Sequence, residues 1–457
     1  MAAEDRAPAP TLPALKRTLG VFDTTMINVG TIVGSGVFAA GTAVASNVAS
    51  LPMFFVVWAV AAGFSLLGAL SVAELGAALP DTGGMYVYLR EAYGPVWGYL
   101  YGWAECAVIL AAGNAAVAVL FASYLGDLAH LGPVTTKLVA CGCILVLTGL
   151  NVLGVRASAA ANNLMTVGKV GLLLVLAIAA FLKPPLTLPA PSSPRVVPAL
   201  TFTSYTTALL QPMWAFDGWV YAGCVGGEMK RPSRDLPLAT ILSVTAVALV
   251  YAVVTGSFLH VLGLGGLART ELSTTVVAGH AFGSAGTPLA LGLVMLAVVG
   301  SLHGGILTGP RVLYAMAKNG MFFRAAATVH PRFRTPTVAL GILAVWSVAL
   351  VFTGRYEQLL TAALFTSWLF YALAGAAVVV LRKKRPDLPR PYRALGYPWS
   401  PVLFVLFAAY FLVQTVLSDP RDAGIGLGLV LSGLGPYAWF TRKRTPPASD
   451  ADARSAR

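Results

Sequence analysis

Charge is scarce in this chain of 457 residues: Asp, Glu, Lys and Arg together make up 11% of it, and only 18 residues are acidic. A soluble globular domain carries about 25% charged residues, so an ordinary soluble protein is excluded. Polar stretches long enough to fold by themselves are also missing, and a single membrane domain is expected to fill the chain. Cysteine is rare. Cys106, Cys141, Cys143 and Cys224 all fall in apolar segments, which supports neither a disulfide framework nor a zinc site with loop spacing. They read as small buried hydrophobes. The first twenty residues lack an apolar core before a small-residue cleavage site, so no signal peptide is expected and residues 1 to 17 read as a disordered cytoplasmic tail.

What is abundant is hydrophobic surface, 57% of the residues. Apolar runs close to the roughly 20 residues needed to cross a bilayer lie at about 21–46, 51–79, 95–123, 137–153, 163–182, 204–226, 238–263, 288–309, 338–353, 361–381, 398–417 and 423–441. Twelve spans follow, within a transporter domain of residues 18–441 and ahead of a second disordered tail at 442–457. The net charge of +13 would point to nucleic acid in a soluble protein. Here its distribution carries the information, and no nucleic-acid partner is expected. With the N-terminus inside, 24 Lys and Arg fall on one side and six on the other (Lys137, Lys183, Arg195, Arg269, Arg355 and Arg421), while Lys169 lies within a span. Both termini are therefore expected in the cytoplasm, and the chain in the plasma membrane.

The first span contains Gly30-Thr31-Ile32-Val33-Gly34-Ser35-Gly36, three glycines and two hydroxyls where leucine and valine would be usual. Either two helices approach closely along a G-x-x-x-G seam, or the helix breaks inside the bilayer and its freed backbone groups line a protein-enclosed cavity. Span six carries Trp214-Ala215-Phe216-Asp217-Gly218-Trp219, then Gly223, Gly226 and Gly227. If the first ten spans are two repeats of five, these interruptions occupy corresponding helices, the sequence pointer to a transporter's binding site. Free N–H groups at one half-helix would bind a carboxylate, and carbonyls at the other an ammonium. A small zwitterion such as an α-amino acid fits that arrangement.

Other polar residues inside spans are candidates by default. Lys169 either snorkels to the surface near Asn162 and Asn163 or reaches the break of span one, where its charge would stand in for a mobile cation. Asp217 either contributes charge near the substrate or pairs within the protein. Glu105 is expected in a structural pair, Glu74 as an anchor at the inner end of span two. His303, beside Gly304 and Gly305, either faces the cavity or packs with a satisfied ring. Asn114 is expected to bond a neighbouring helix, with cavity lining as its other reading.

The segment Gly30 to Phe38 resembles the span-one signature of the amino acid–polyamine–organocation superfamily. Agreement continues through Ala73-Glu74-Leu75-Gly76, Pro80 to Gly84 with Tyr86, Phe216 to Trp219, Glu228 to Pro232, and Pro310 to Tyr314 with Lys318 to Gly320. Lys137 to Cys141, the context of Lys169, and Leu381 to Pro386 with Arg390 to Arg393 look most like the L-type amino acid transporter group, including its bacterial serine/threonine exchanger-like members. The resemblance implies an all-α polytopic fold of the LeuT-like kind: two inverted five-helix repeats (about 21–182 and 204–381), discontinuous helices 1 and 6, and two extra helices (about 398–441). It further implies alternating access and sodium-independent amino acid transport, often by exchange, with no cofactor or metal. Carried across, Ile32, Ser35 and Gly36 would meet the substrate backbone and Trp214 would gate it. Asp217 stands where animal members have glycine, Gly113 and Trp368 fall at pocket positions, and Lys169 falls beside span one. Animal members also carry an outer-loop cysteine bonded to a single-span glycoprotein. Residues 126 to 137 contain none, so no disulfide-linked accessory chain is expected, and a monomer or weak homodimer is.

The leading expectation is a carrier of neutral L-amino acids. A carrier of cationic amino acids or amines is the alternative, kept open by Asp217. An ion channel would need a ring of like groups from several subunits. An intramembrane enzyme would need a catalytic constellation, and H-E-x-x-H is absent while Ser35 and His303 lack an evident third partner.

Overall fold

The computed structural model describes residues 15–187, 202–353, 356–418 and 420–442; the two expected tails, and Arg195 and Arg355 of the charge bias, lie wholly or largely outside them. The described elements are helical, joined by a lone backbone bridge between Leu19 and Met229. They run α1 (Val21–Ile32), α2 (Gly36–Asn47), α3 (Leu51–Ala78), α4 (Met85–Tyr93), α5 (Pro95–Ala104), a π-helical turn (Glu105–Ile109), α6 (Leu110–Ala129), α7 (Pro133–Val152) and α8 (Val155–Phe181). After the undescribed segment come α9 (Phe202–Ala215), a 3-10 segment (Tyr221–Glu228), α10 (Pro232–Leu267), α11 (Ser273–Phe282), α12 (Gly286–Thr308) and α13 (Pro310–Lys318). The last are α14 (Thr337–Thr353), α15 (Tyr356–Lys384), α16 (Trp399–Ser418), α17 (Pro420–Ser432) and α18 (Leu434–Arg442).

Among the described residues nine helical stretches are long and apolar enough to cross a membrane, ten when the bent pair α1 and α2 is taken as one. The protein is thus an integral multi-pass membrane protein. Its outward faces are greasy, as at Val146, Leu164 and Leu406, because lipid exerts no pressure to hide apolar side chains. Polarity is instead kept inside: Asn28, Thr166, Lys169, Glu228 and Arg311 are all fully buried.

α1 and α2 stand centrally, α1 against α8, α10 and α12, and α2 against α9. Glycine permits those approaches. A side chain at Gly30 would strike the Thr166 hydroxyl and Asn162, so this position retains the packing role that a seam requires. The Pro80 to Gly84 motif makes a turn with positive φ at Gly83 and Gly84 that lies against the 3-10 segment, with Gly83 N–H donating to the Cys224 carbonyl at 3.1 Å. Side chains at Gly223, Gly226 or Gly227 would collide with this turn or with Tyr88. Those three glycines therefore serve a seam beyond the break.

Candidate functional site

The two interruptions meet. α1 stops at Ile32 and the chain restarts as α2 at Gly36, bent by 48°; α9 stops at Ala215, after Pro212 has removed one helical donor. The close approach is reciprocal. A Cβ at Gly36 would lie 2.8 Å from Ala215 Cα, and one at Gly218, whose φ of +121° already favours glycine, would lie 3.1 Å from Ile32 N. Each break is thus shaped by the backbone of the other.

Between them is a cavity of about 120 Å³ whose lining includes Ile32, Ser35, Gly36, Gly113, Asn114, Trp214 and Asp217. The first N–H groups of α2 lie at a helix start, where a helix supplies no acceptor of its own, while the end carbonyls of α1 and α9 are met by Lys169, by Tyr251 and by the N–H groups of Gly34 and Asp217. The site therefore offers backbone donors from α2 and an acceptor in the Asp217 carboxylate, the chemistry that a carboxylate and an ammonium on one carbon require. At Gly113 a Cβ would meet nothing within 4 Å, so the space there is set by that residue's lack of a side chain. Asn114 lines the cavity and its Nδ2 has no protein partner, which favours the cavity reading over the helix bond expected for it.

Asp217 Oδ1 accepts from the Tyr371 hydroxyl at 2.7 Å and from Gly218 N–H at 2.8 Å. Both bonds fall on the one oxygen, and the residue borders the cavity. Lys169 does not snorkel. Fully buried, its ammonium donates to the carbonyls of Gly30 at 2.5 Å and Val33 at 2.6 Å, with Ala297 at 3.5 Å. The Lys169 amine therefore sits against the end of α1.

Two candidates fall elsewhere. Trp368 does not line the cavity; it is buried among Tyr371, Phe404, Phe407 and Phe411. Ala363, Leu364 and Ser367 supply that wall instead, a difference of helix phase. His303 is fully buried and satisfied, with one ring nitrogen 3.3 Å from Asn151 Nδ2 and the other 2.9 Å from the Ser158 carbonyl, so its packing reading is the one that applies. Glu105 makes no ion pair among the described residues, against expectation. Glu74 does anchor, bonding Arg382 at 2.6 Å and Ala394 N–H at 2.6 Å.

Several residues were not singled out in the sequence. The Tyr251 hydroxyl lies 3.1 Å from the Ile32 carbonyl and 3.0 Å from that of Ala215, capping both half-helices at once. Asn28 joins the same two elements, donating to the Trp219 carbonyl at 3.0 Å and accepting from Ala222 N–H at 2.8 Å. An asparagine one turn before the first break was the available signal; a tyrosine in a long apolar helix gave none.

The cavity shares Ser35, Gly36 and Trp214 with a vestibule of about 660 Å³ bordered by Tyr124, Asp127, Gln211 and Glu271. The seam around Gly83 and Gly84 borders the 3-10 segment beyond the break. There the carboxylate of Glu228 accepts from Arg311 at 2.8 Å, both fully buried, and Arg311 also bonds the Leu307 carbonyl. The Glu228 carbonyl accepts from Thr18 and Leu19 N–H at 2.8 and 3.0 Å, and Lys230 N–H returns to the Leu19 carbonyl at 2.9 Å.

Residues 19–426 match the family described as amino acid permease. The chain is similar to the serine/threonine exchanger SteT of Bacillus subtilis (strain 168), 29% identical over 433 residues that cover 94% of this chain and 98% of that protein. It is also similar to the human (Homo sapiens) large neutral amino acids transporter small subunit 2, 29% identical over 93% of this chain and 80% of the relative. The human b(0,+)-type amino acid transporter 1 is 28% identical over 94% and 89%, respectively.

Proposed function

The chain belongs to the amino acid permease family, and from that premise we propose that it exchanges neutral L-amino acids across the plasma membrane by alternating access. It is a transporter and not an enzyme. The observation that carries the reading is the pair of broken helices facing each other across one cavity, with the first amides of α2 on one side of it and the Asp217 carboxylate on the other. The names of the bacterial and human relatives, a serine/threonine exchanger and a large neutral amino acid transporter, support both exchange and neutral substrates.

In this reading Ser35 and Gly36 hold the substrate carboxylate, Asp217 meets its ammonium beside Ile32, and Gly113 and Asn114 face its side chain. Trp214, shared by cavity and vestibule, gates the vestibule. The Lys169 ammonium takes the place a sodium ion would otherwise fill, making transport sodium-independent. Twelve spans in two inverted five-helix repeats with two added helices complete the architecture: the shorter apolar helix Thr337–Thr353 and the broken segment Phe202–Glu228 would join the ten candidates. Both termini are cytoplasmic by the charge bias, so the vestibule opens outside. The Asp217 carboxylate at the cavity wall favours a second reading, carriage of cationic amino acids or amines.

Proteoliposomes loaded with a panel of unlabelled amino acids test both. Uptake of labelled L-serine that depends on an internal neutral amino acid and persists in choline is expected. Uptake that serves labelled arginine but not serine supports the second reading, and flux requiring sodium overturns the role of Lys169.

A further inference from the structure

Two motifs of the sequence take no part in the substrate site: Pro80 to Gly84, and Lys318 to Gly320. They meet at a further cavity, of about 300 Å³, on the side of the molecule that carries the N-terminus. Arg17 borders it from the chain ahead of α1, Asp81 and Thr82 from the turn, Arg90 from α4, Gly227 from the 3-10 segment and Lys318 from the end of α13. It shares no lining residue with the substrate cavity or the vestibule. A Cβ at Gly227 would strike the Thr82 hydroxyl, so glycine there leaves room for that donor.

The charged lining is uneven: three cations, Arg17, Arg90 and Lys318, against one carboxylate, Asp81. Arg90 is bonded to Glu91, through Nε at 3.2 Å and Nη2 at 2.9 Å, which uses two of the five donors of a guanidinium. Arg17, Lys318 and Asp81 enter no ion pair among the described residues. Anchoring by the positive-inside rule explains cations spread along a membrane surface. It gives no reason for three of them, from three separate elements, to border one cavity. Pairing Asp81 with Arg17 or Lys318 would still leave the other without a counter-charge. The surplus fits an anion with several acceptor oxygens. A phosphate monoester has three and carries about −1.5 to −2 charges at pH 7, and it is recognised by the fork of Arg and the point charge of Lys. A carboxylate brings two oxygens and one charge.

The walls of the cavity come from both sides of the backbone bridge near Leu19. Arg17 precedes Thr18, whose N–H, like that of Leu19, donates to the Glu228 carbonyl, and Gly227 precedes Glu228. An anion held between Arg17 and Lys318 therefore ties the chain ahead of α1 to α13 across that bridge. We propose that this cavity binds a phosphate monoester group on the face that carries the N-terminus, and that the bound group holds this end of the protein closed and slows exchange. Binding is non-covalent. The group comes from a soluble phosphorylated metabolite or from the headgroup of a phospholipid, which present the same oxygens. The effect on exchange rests on the transport proposed above; the binding does not.

The full chain in an uncharged detergent is titrated with inorganic phosphate, against potassium chloride of equal ionic strength, and thermal unfolding is read. Phosphate is expected to raise Tm beyond any effect of chloride. Arg17→Gln and Lys318→Gln, both changes at exposed side chains, should each weaken the apparent affinity about tenfold or more, the loss of one charge-assisted contact. Labelled L-serine exchange is then measured in phosphatidylcholine liposomes with phosphate on both faces. At ten times its dissociation constant phosphate should slow exchange about tenfold, the limit for a ligand that binds the closed form alone. Slowing in plain phosphatidylcholine assigns the site to a soluble phosphate; slowing that appears only when phosphatidic acid is added to the bilayer assigns it to a headgroup. Either variant should relieve it. A Tm that follows ionic strength alone, together with exchange indifferent to phosphatidic acid, overturns the site, as does an effect of the same size in both variants. Stabilisation by phosphate with unchanged exchange overturns the closing role. Absence of serine exchange in wild type under every condition would instead overturn the transport reading, and the thermal titration would still decide the site.

Discussion

Replacing Lys169 by methionine preserves the length of the side chain and removes its three donors. The Gly30 and Val33 carbonyls, bonded at 2.5 and 2.6 Å, lose their partner in an interior that water does not fill; the contact to Ala297 at 3.5 Å is too long to count. Each orphaned buried carbonyl costs about 1–3 kcal/mol, so the pair costs about 2–6 kcal/mol. Both carbonyls belong to the end of α1, and the loss falls on the geometry of the break. At about 1.4 kcal/mol per factor of ten, exchange should drop about thirtyfold or more. Labelled serine exchange at equal amounts of monodisperse protein is the assay. Arginine should not rescue, because a Cβ at Gly300 would already meet the ammonium at 3.1 Å, leaving no room for a larger head group. Flux within about twofold of wild type in Lys169→Met would refute the role assigned to these bonds.

Gly36→Ala should lower substrate affinity about fivefold or more, since a Cβ 2.8 Å from Ala215 Cα must push two backbones apart at a cost of about 1–3 kcal/mol; equilibrium binding of labelled serine measures it, and unchanged affinity would count against the reciprocal fit. Tyr251→Phe should raise KM for serine by about fivefold to tenfold with little loss of thermal stability, since one shared hydroxyl, about 1 kcal/mol, is removed from two carbonyls, of which that of Ile32 belongs to a cavity-lining residue. A loss of stability without any change in KM would assign it to packing alone. Glu228→Gln should destabilise the protein by about 3–5 kcal/mol by stranding buried Arg311, and the double change Glu228→Met with Arg311→Met should recover much of that in thermal unfolding.

The first break was legible because glycines and hydroxyls are conspicuous in an apolar run, and α1 does end at Ile32 and α2 begin at Gly36. Lys169 was legible for the same reason: charge in a hydrophobic segment has few places to go, and one of its two readings named the end of α1 that it binds. Helix phase was not legible. Trp368 and Ser367 are adjacent, yet only Ser367 borders the cavity, and a run apolar on all sides carries no periodicity to say which faces inward. The π-turn at Glu105 was invisible because it changes hydrogen-bond register without a compositional mark. Glu228 and Arg311 fall in separate motifs of the sequence; only folding brings residues 83 apart into one buried pair.

The bonds joining residues 18–19 to 228–230 use main-chain atoms throughout. Substitution along either stretch therefore leaves this latch in place unless it brings in proline, which lacks the donor at Thr18, Leu19 or Lys230. If the transport cycle separates these two stretches, the strength of these bonds would count toward its barrier, a contribution that substitutions other than proline would leave largely unchanged.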